Sequence, residues 1–453
     1  MAKGKNIIFG VIVAAAVVAA VAIPATRLHG TGQKQAVTEE AEDTVFLNKA
    51  LTNGMSDVAE LERMDRKVER YMQYWHIHGA QLAVMRGDSL LYCKGYGIAD
   101  DSLCLFCDRD STDGCRKTGV SVGMTPGHIM RVASVSKLIT AAGIMKLQEE
   151  GLLHLSDTVF GPHGILRDSL YNESISNMND YSKITVEHLL RHQAGFRRDP
   201  VFSANDVRRQ MGLDRCPELD DYSRLVLSRR LRYEPGGSQT YSNYGYMLLS
   251  RIIETVSGMS YEDFIQAKVL HPAGCWDMHI AGNYYRDKRP NEVRYFVHEG
   301  DGKEVQEYNG SGRMVERCYG GNDINLLSGA GAWVCSAAEL ARFVASIDGI
   351  PESVPDVLDE ESVEQMTEYI DSNTYSLGWN DTNPRKGWVR TGTLAGTNAV
   401  IKYFPDGECW IWLTNTSTWK GPSHLRYTAT LFDQLRRDYS AKLPARNLFA
   451  PQE

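Results

Sequence analysis

The sequence has no strong excess of either charge and no long run of basic residues. Its 453 residues include 49 lysines and arginines against 57 acidic residues, for a formal net charge of −8. Phosphate backbones require a positive surface, so this balance argues against a nucleic-acid partner. Apolar residues make up 43% and charged residues 23% of the chain, which is the composition of a globular protein with one or two domains.

Long hydrophobic runs are also missing, except at the N-terminus. Residues 7–23 carry no charge and follow Lys3 and Lys5. This run reaches the lower length limit of a membrane-spanning helix, and the lysines predict a cytoplasmic N-terminus with the rest of the chain exported. The alternative is a cleaved signal peptide of a secreted or periplasmic protein, because residues 20–22 read Ala-Val-Ala. We predict a membrane anchor or signal segment over residues 1–30, favouring the anchor, and a linker over 31–56.

Cysteine is sparse and odd in number, with nine residues scattered along the chain. The densest group is Cys104, Cys107 and Cys115, to which Cys93 could be added as a fourth zinc ligand. No spacing rule supports that addition, and in an exported protein a disulfide across a surface loop is the simpler interpretation. We therefore predict no metal and no cofactor.

Periodic patterns place strands at both ends of the chain. Residues 80–85 and 90–95 form a hairpin pattern after a helical pattern over 57–74, and residues 101–121 have loop composition. Near the C-terminus, three apolar or β-branched segments precede a predicted helix over 423–439; they cover residues 388–391, 398–404 and 408–414.

Between these strands the pattern is mainly helical. Ser134 begins a helix that Gly151 ends, Thr185 is a candidate N-cap, and residues 244–258 form another helix. Ser336 and Glu339 form a capping-box pattern at the start of a helix over 336–347.

The order of these patterns predicts an α+β fold. One antiparallel sheet is built from N- and C-terminal strands with flanking helices, and a mostly helical second lobe lies between them. The predicted domain covers residues 57–440, followed by a tail over 441–453. A cleft is expected between the sheet and the helical lobe.

Lys137 interrupts this apolar pattern in the first turn of its helix, three residues after Ser134. Positions i and i+3 share a helix face, and an ammonium group is costly to bury unless it is paired or loses its proton. A lysine with a lowered pKa can take the proton of a serine hydroxyl. The pair is therefore a candidate nucleophile and base.

Two further motifs follow in order, Tyr241-Ser242-Asn243 and Arg390-Thr391-Gly392. With S-x-x-K at Ser134, they resemble the serine β-lactamase and penicillin-binding protein superfamily. The Tyr-x-Asn form is similar to the branch of class C β-lactamases, D-alanyl-D-alanine carboxypeptidases and related esterases. Residues 189–196 and 329–340 also resemble segments of this family, and the resemblance covers roughly residues 57–440.

The resemblance implies a role for each motif residue. Ser134 is expected to be the acylated nucleophile and Lys137 its base, while Tyr241 moves protons to the leaving group and to the deacylating water. Asn243 is expected to hold the substrate amide and to orient Lys137. The backbone N–H groups of Ser134 and Thr393 are expected to form the oxyanion hole.

The third motif departs from the family, which has lysine or histidine where this chain has Arg390. Arginine does not deprotonate in proteins and so cannot relay a proton. We expect Arg390, with Thr391, Gly392 and Thr393, to bind substrate, and expect the guanidinium to face the cleft and grip a substrate carboxylate.

These motifs predict an exported serine hydrolase acting on a small-molecule or peptide substrate, such as a β-lactam, a D-amino acid peptide derived from the cell wall, or an ester. The alternative is a catalytically silent, membrane-tethered scaffold that binds cell-wall peptides. His188 and His192 lie at helical spacing, but no zinc motif surrounds them, so we expect a structural role at the lobe interface.

Overall fold

The computed structural model describes residues 46–103, 120–298, 300, 302–350 and 353–450. The predicted anchor over 7–23, most of the predicted linker, and Cys104, Cys107 and Cys115 lie outside the described residues. Within these ranges, no helix has the length and apolar character needed to span a membrane. The same ranges contain no group of three or more histidine, cysteine or acidic side chains arranged to hold a metal ion.

Eleven strands are found in the described ranges. They are β1 (Gly79–Arg86), β2 (Ser89–Leu103), β3 (Val120–Gly123), β4 (Met130–Arg131), β5 (His279–Ile280), β6 (Glu304–Gln306), β7 (Met314–Glu316), β8 (Trp333–Cys335), β9 (Trp388–Leu394), β10 (Thr397–Tyr403) and β11 (Glu408–Thr414).

The described helices are α1 (Leu47–Ala50), α2 (Glu62–Trp75), α3 (Ser136–Glu149), α4 (Ser169–Ser174), α5 (Met178–Tyr181), α6 (Val186–Leu190), α7 (Ala204–Met211), α8 (Leu219–Leu227), α9 (Asn243–Ser257), α10 (Tyr261–Ile265), α11 (Ile324–Leu327), α12 (Ala337–Ala345), α13 (Glu360–Thr367) and α14 (His424–Tyr439).

The main sheet has six strands in the order β3-β2-β1-β11-β10-β9, and every neighbouring pair is antiparallel. Strand β1 from the N-terminal half pairs with β11 from the C-terminal end, with Ala80 opposite Thr414 and Arg86 opposite Glu408. This arrangement confirms the predicted sheet built from both ends of the chain.

Alternation along the central strands divides the core between two faces. On β11, Trp410 and Trp412 pack with α2 and α14 on one face, while Ile411 and Leu413 join the larger core on the other. Successive side chains of a strand point to opposite faces, so both faces of the sheet are covered by helices. Helix α12 packs against β1 and β11 on the second face.

The helical lobe occupies the chain between β4 and β8, as predicted. Helix α9 is its centre and packs against α3 and α6. Thr185 caps α6 because its hydroxyl accepts the backbone N–H of His188, and Gly258 ends α9 with a φ of 70°. A residue without a Cβ adopts this left-handed conformation without strain.

The structure differs from the sequence predictions at several places. The 101–121 segment is not all loop, since β2 extends to Leu103 and β3 begins at Val120. The helix predicted over 57–74 begins five residues later, at Glu62, after a short 3₁₀ turn over Ala59–Leu61. Ser134 lies on another 3₁₀ turn, Ala133–Val135, and α3 begins only at Ser136.

Both chain ends of the described region pack on the domain. Leu51 is buried, and Asn48 donates a hydrogen bond to Asp277 at 2.9 Å. Near the other end, the backbone N–H of Leu448 donates to the carbonyl of Leu90 at 2.8 Å. The folded unit therefore extends beyond the predicted 57–440 on both sides.

Candidate active site

A second sheet has three strands in the order β4-β8-β5, and Ser134 lies between its edge strand β4 and helix α3. The preceding Ala133 has a φ of 50°, a left-handed conformation that is strained for a residue with a Cβ. The backbone N–H of Val132 donates to the Trp333 carbonyl at 3.0 Å and ties this turn to β8. The turn presents the half-buried Ser134 at the start of α3.

Lys137 faces inward and has no exposed surface. Its Nζ lies 2.5 Å from the Ala330 carbonyl oxygen, 2.8 Å from Asn243 Oδ1 and 3.3 Å from Ser134 Oγ. Burial lowers the pKa of this amine, and the charge of Arg390 lowers it further. A neutral amine that donates its two N–H groups to Ala330 and Asn243 directs its lone pair toward the Ser134 hydroxyl.

Tyr241 contacts the same hydroxyl from the helical lobe. Its OH lies 2.8 Å from Ser134 Oγ, and its ring centroid is 4.9 Å from Lys137 Nζ. Burial disfavours the phenolate, but the charge of Arg390 and that of Lys137 in its protonated form outweigh burial and lower the pKa of Tyr241 to about 8. Tyr241 and Lys137 therefore titrate as a coupled pair around one serine.

Asn243 is the first residue of α9 and joins Lys137 to the helical lobe. The carboxylate of Asp199 accepts the backbone N–H groups of Asn243 and Tyr244, which have no partner within the helix. Asp199 belongs to none of the motifs, and its only sequence signal is its position three residues after the segment 189–196.

His192 supports the Tyr241 loop from behind. Its Nδ1 accepts the backbone N–H of Ser242 at 3.1 Å, and its ring lies 4.4 Å from the Tyr241 ring. Burial, together with the nearby charges of Lys137 and Arg390, holds the pKa of His192 well below its ordinary value, so the ring is neutral. His188 caps α6, since its Nδ1 accepts the backbone N–H of Thr185. Both histidines have structural contacts.

Strand β9 brings the third motif against Ser134. A Cβ on Gly392 would lie 2.3 Å from the Val132 carbonyl oxygen and 2.9 Å from the Ser134 nitrogen. These distances exclude any side chain at Gly392 and explain why the motif needs glycine there.

The oxyanion hole predicted from the resemblance is consistent with the register of β9. The backbone N–H of Thr391 donates to Asn380 Oδ1 at 2.7 Å, on the side of β9 away from β10. Backbone groups alternate sides in an antiparallel ladder, so the N–H of Thr393 also points away from β10. Gly392 between them lies against the Ser134 amide, which places both predicted donors at one edge.

Arg390 is oriented differently from the prediction. Its guanidinium does not extend into the cleft: Nε donates to the Ser134 carbonyl oxygen at 2.8 Å, and Nη2 donates to the same oxygen. The residue is only 1% exposed. The guanidinium of this motif is therefore already bonded to the backbone of Ser134.

The segment 329–340 supplies the remaining contact. Ala330 gives the carbonyl oxygen that accepts from Lys137, and a Cβ on Gly329 would lie 2.5 Å from the hydroxyl oxygens of Thr140 and Ser250. The resemblance of this segment to the family implied no particular role for it. Its function here is to carry one backbone acceptor to the lysine.

A comparison with protein families agrees with this geometry. Residues 64–431, most of the chain, match the family model described as Beta-lactamase. The chain belongs to the beta-lactamase family. The match includes the elements that carry Ser134, Lys137, Tyr241, Asn243 and Arg390.

Individual relatives of this beta-lactamase family member are distant. It is 25% identical over 349 residues to Protein flp of Staphylococcus aureus (strain COL), which covers 76% of this chain and 60% of that protein. The chain thus spans about 60% of the length of such curated relatives. It is also 26% identical over 220 residues to a putative D-alanyl-D-alanine carboxypeptidase of Escherichia coli O157:H7, covering 48% of this chain and 46% of that protein.

A solved structure shares the fold. The crystal structure of D-amino acid amidase from Ochrobactrum anthropi SV3 complexed with L-phenylalanine superposes with a TM-score of 0.60 and 18% identity. The match covers 85% of this chain and 99% of that chain. It confirms the predicted α+β architecture.

Proposed function

We propose that this chain is a serine hydrolase that cleaves amide or ester bonds through an acyl-enzyme on Ser134. One observation carries the proposal: Ser134 Oγ lies 3.3 Å from the amine of Lys137 and 2.8 Å from the hydroxyl of Tyr241. A nucleophile held between a buried base and a second proton carrier is the arrangement that acyl transfer requires.

The steps follow from these contacts. Lys137 takes the Ser134 proton as Oγ attacks the substrate carbonyl carbon, and the amides of Ser134 and Thr393 hold the resulting oxyanion. When the tetrahedral intermediate collapses, the bond to the leaving group breaks, Tyr241 gives its proton to that group, and Lys137 passes the Ser134 proton on to Tyr241. In deacylation, water attacks the acyl carbon and loses a proton to Tyr241, which passes its own proton to Lys137. The bond between the acyl carbon and Ser134 Oγ then breaks, Oγ takes the proton from Lys137, and the acid is released.

The named relatives support a substrate with an amide bond. One carries the description of a putative D-alanyl-D-alanine carboxypeptidase, and a structural neighbour is a D-amino acid amidase. We propose a D-amino acid peptide, amide or ester as substrate, including peptides released from the cell wall. The complete contacts of Lys137 count against the silent scaffold, which has no need of a lowered amine pKa.

The test is covalent labelling. The purified chain is treated with a neutral fluorophosphonate and, separately, with a penicillin, and its intact mass is measured. We expect one adduct per chain, absent from Ser134→Ala and present in Ser136→Ala, which alters a neighbouring buried hydroxyl that accepts the Trp333 backbone N–H. An adduct that survives Ser134→Ala rejects the assignment, and no adduct with either reagent supports the scaffold.

We also propose that residues 7–23 anchor the protein with its catalytic domain outside the cytoplasm. The uncharged run after Lys3 and Lys5 supports this location. Fractionation is expected to leave the full chain in the membrane and to release a shortened chain beginning at residue 40. A mature N-terminus directly after Ala22 or Ala25 would instead identify a cleaved signal peptide.

A further inference from the structure

The guanidinium group of Arg390 bonds to the protein's own backbone. Its guanidinium donates from both Nε and Nη2 to one acceptor, the carbonyl oxygen of Ser134, with Nε at 2.8 Å. Only 1% of the residue is exposed. An arginine that reads a substrate carboxylate presents two parallel N–H groups to the ligand, and two donors on this fork are already engaged.

The backbone that Arg390 holds is under strain. Ala133 has a φ of 50°, and its Cβ lies 3.1 Å from the position that a Cβ on Gly392 would take. A left-handed alanine persists only where its surroundings fix it. The charge-assisted bonds from Arg390 fix the carbonyl of the next residue, and with it the direction of the Ser134 side chain and the turn that presents the Ser134 amide.

The two cations near Tyr241, Lys137 and Arg390, are buried and already bonded to protein oxygens. The ring of Tyr375 lies 5.9 Å from the ring of Tyr241, and Asn380 Oδ1 accepts both the N–H and the hydroxyl of Thr391. A proton passed by Tyr241 reaches the leaving group, so this side receives that group. A carboxylate there would lose its hydration. It would gain no compensating hydrogen bonds from the guanidinium of Arg390, which the third motif was expected to offer.

We propose that Arg390 is a positioning residue that clamps the Ser134 carbonyl, and that the site consequently takes substrates whose leaving group carries no carboxylate. This inference rests on the proposed function and narrows it to amides and esters with neutral leaving groups. It reverses the expectation that Arg390 grips a substrate carboxylate.

The experiment compares two substrates that differ only in charge. N-acetyl-D-alanyl-D-lactate carries a free carboxylate on its leaving group, and its methyl ester does not. We expect the wild-type chain to hydrolyse the methyl ester with a kcat/KM at least 10-fold higher. Arg390→Ala should lower kcat for both substrates by the same factor, about 10-fold to 100-fold, with KM little changed.

Three controls separate positioning from a general structural role. Arg390→Lys keeps the positive charge but lacks the two parallel N–H groups of arginine. We expect it to lose less activity than Arg390→Ala, and to lose it by the same factor for both substrates. Arg390→Gln removes a positive charge that lowers the pKa of Tyr241, so the pKa of Tyr241 should rise. The acidic limb of the variant's pH–rate profile should therefore move above pH 8. Lys402→Ala removes a cation from β10 that bonds to Asp433, and should change neither result.

The outcomes are distinct from those of the proposed function. Failure of Ser134 to take a fluorophosphonate label in the wild-type chain rejects the hydrolase itself. A labelled wild type that prefers the free carboxylate, or an Arg390→Ala variant that loses only the carboxylate substrate, overturns the neutral-leaving-group inference. An Arg390→Ala variant that labels at the wild-type rate overturns the positioning role.

Discussion

Helices α3 and α12 are both buried along almost their whole length, and each carries one ionisable side chain with no exposed surface. On α3 it is Lys137, which meets three oxygen atoms from three separate segments. On α12 it is Glu339, whose Oε1 accepts the backbone N–H groups of Trp276 and Asp277, both at 2.8 Å, while Oε2 has no hydrogen-bond partner among the described residues.

The difference shows that burial of a charge does not by itself indicate catalysis. Both groups are shifted toward their neutral forms, Lys137 to a lower pKa and Glu339 to a pKa of about 7, and burial is the main cause in each case. Only Lys137 contacts Ser134, the proposed nucleophile, and lies where two lobes meet. Glu339 instead ties a loop to its helix.

The largest effect that tests this contrast is expected at Lys137. Lys137→Gln removes the base but keeps a polar group for Ala330 and Asn243, and kcat/KM should fall by about 10³-fold or more. Thermal stability should stay equal or rise, because a buried amine is replaced by a neutral amide. Substrate turnover and a thermal melt measure both quantities.

Lys146→Gln is the matched control on the same helix, since Lys146 bonds to Glu149 and the Val357 carbonyl outside the site. Its activity should stay within about 2-fold of wild type, as usual for a substitution outside the catalytic contacts. A Lys137→Gln variant within 10-fold of wild type would contradict the assignment of the base.

The second effect concerns Tyr241. Tyr241→Phe removes the hydroxyl that contacts Ser134, and kcat should fall by about 10²-fold to 10³-fold.

The proposed mechanism requires a form that has lost a proton from the Lys137–Tyr241 pair, so in the wild-type chain kcat/KM should rise with pH and level off above about 8. The variant should lose this limb near pH 8, whereas Tyr427→Phe on the exposed face of α14 should keep it. An unchanged pH profile in Tyr241→Phe would reject its role in proton transfer.

At Glu339 we expect a smaller effect, which concerns the free energy of unfolding and not the catalytic activity. Its pKa is raised from 4.5 to about 7, so on raising the pH from 4.5 to 7 the unfolded chain loses the proton while the folded chain keeps it. The free energy of unfolding should fall across this window by about 3 kcal/mol at most. Glu339→Gln removes the titration and should be more stable relative to wild type at pH 8 than at pH 5. Urea unfolding at both pH values measures it, and an equal difference at both would refute the prediction.

The smallest effect is expected at the helix cap. Ser336 Oγ accepts the backbone N–H of Glu339 at 3.1 Å, whereas Val135, at the corresponding position before α3, makes no side-chain cap. Ser336→Ala should cost about 1 kcal/mol in the free energy of unfolding and leave kcat unchanged. A fall in kcat alongside the loss of stability would show that α12 is coupled to the site after all.

The sequence was most informative where structure depends on neighbours along the chain. Local patterns predicted the helix caps at Thr185 and Ser336, and the structure has both. Local patterns also predicted the three C-terminal strands, which the structure has as β9, β10 and β11. The predicted capping box at Ser336 is only half formed. Glu339 turns from the cap to the amides of Trp276 and Asp277, more than sixty residues away in sequence, which no local pattern encodes.

The same reason limits the prediction of the site. The motif order singled out Ser134, Lys137, Tyr241 and Asn243, and these residues are in contact in the structure; their catalytic roles stay predictions. The carbonyl of Ala330 could not be predicted, because any residue offers the same backbone acceptor. The same holds for the contacts of Asp199, Gly392 and Arg390. Each residue contacts a segment far away in the sequence, and these contacts form only when the strands and helices pack together.

The pairing of β1 with β11 sets the order in which the protein can be assembled during synthesis. Ala80 leaves the ribosome more than three hundred residues before its partner Thr414, so the middle of the sheet stays open until β11 has been synthesised. Contacts of such long sequence separation form slowly and leave strand edges unpaired in the meantime. Until then β1 has a free edge, which is the kind of surface on which chains aggregate.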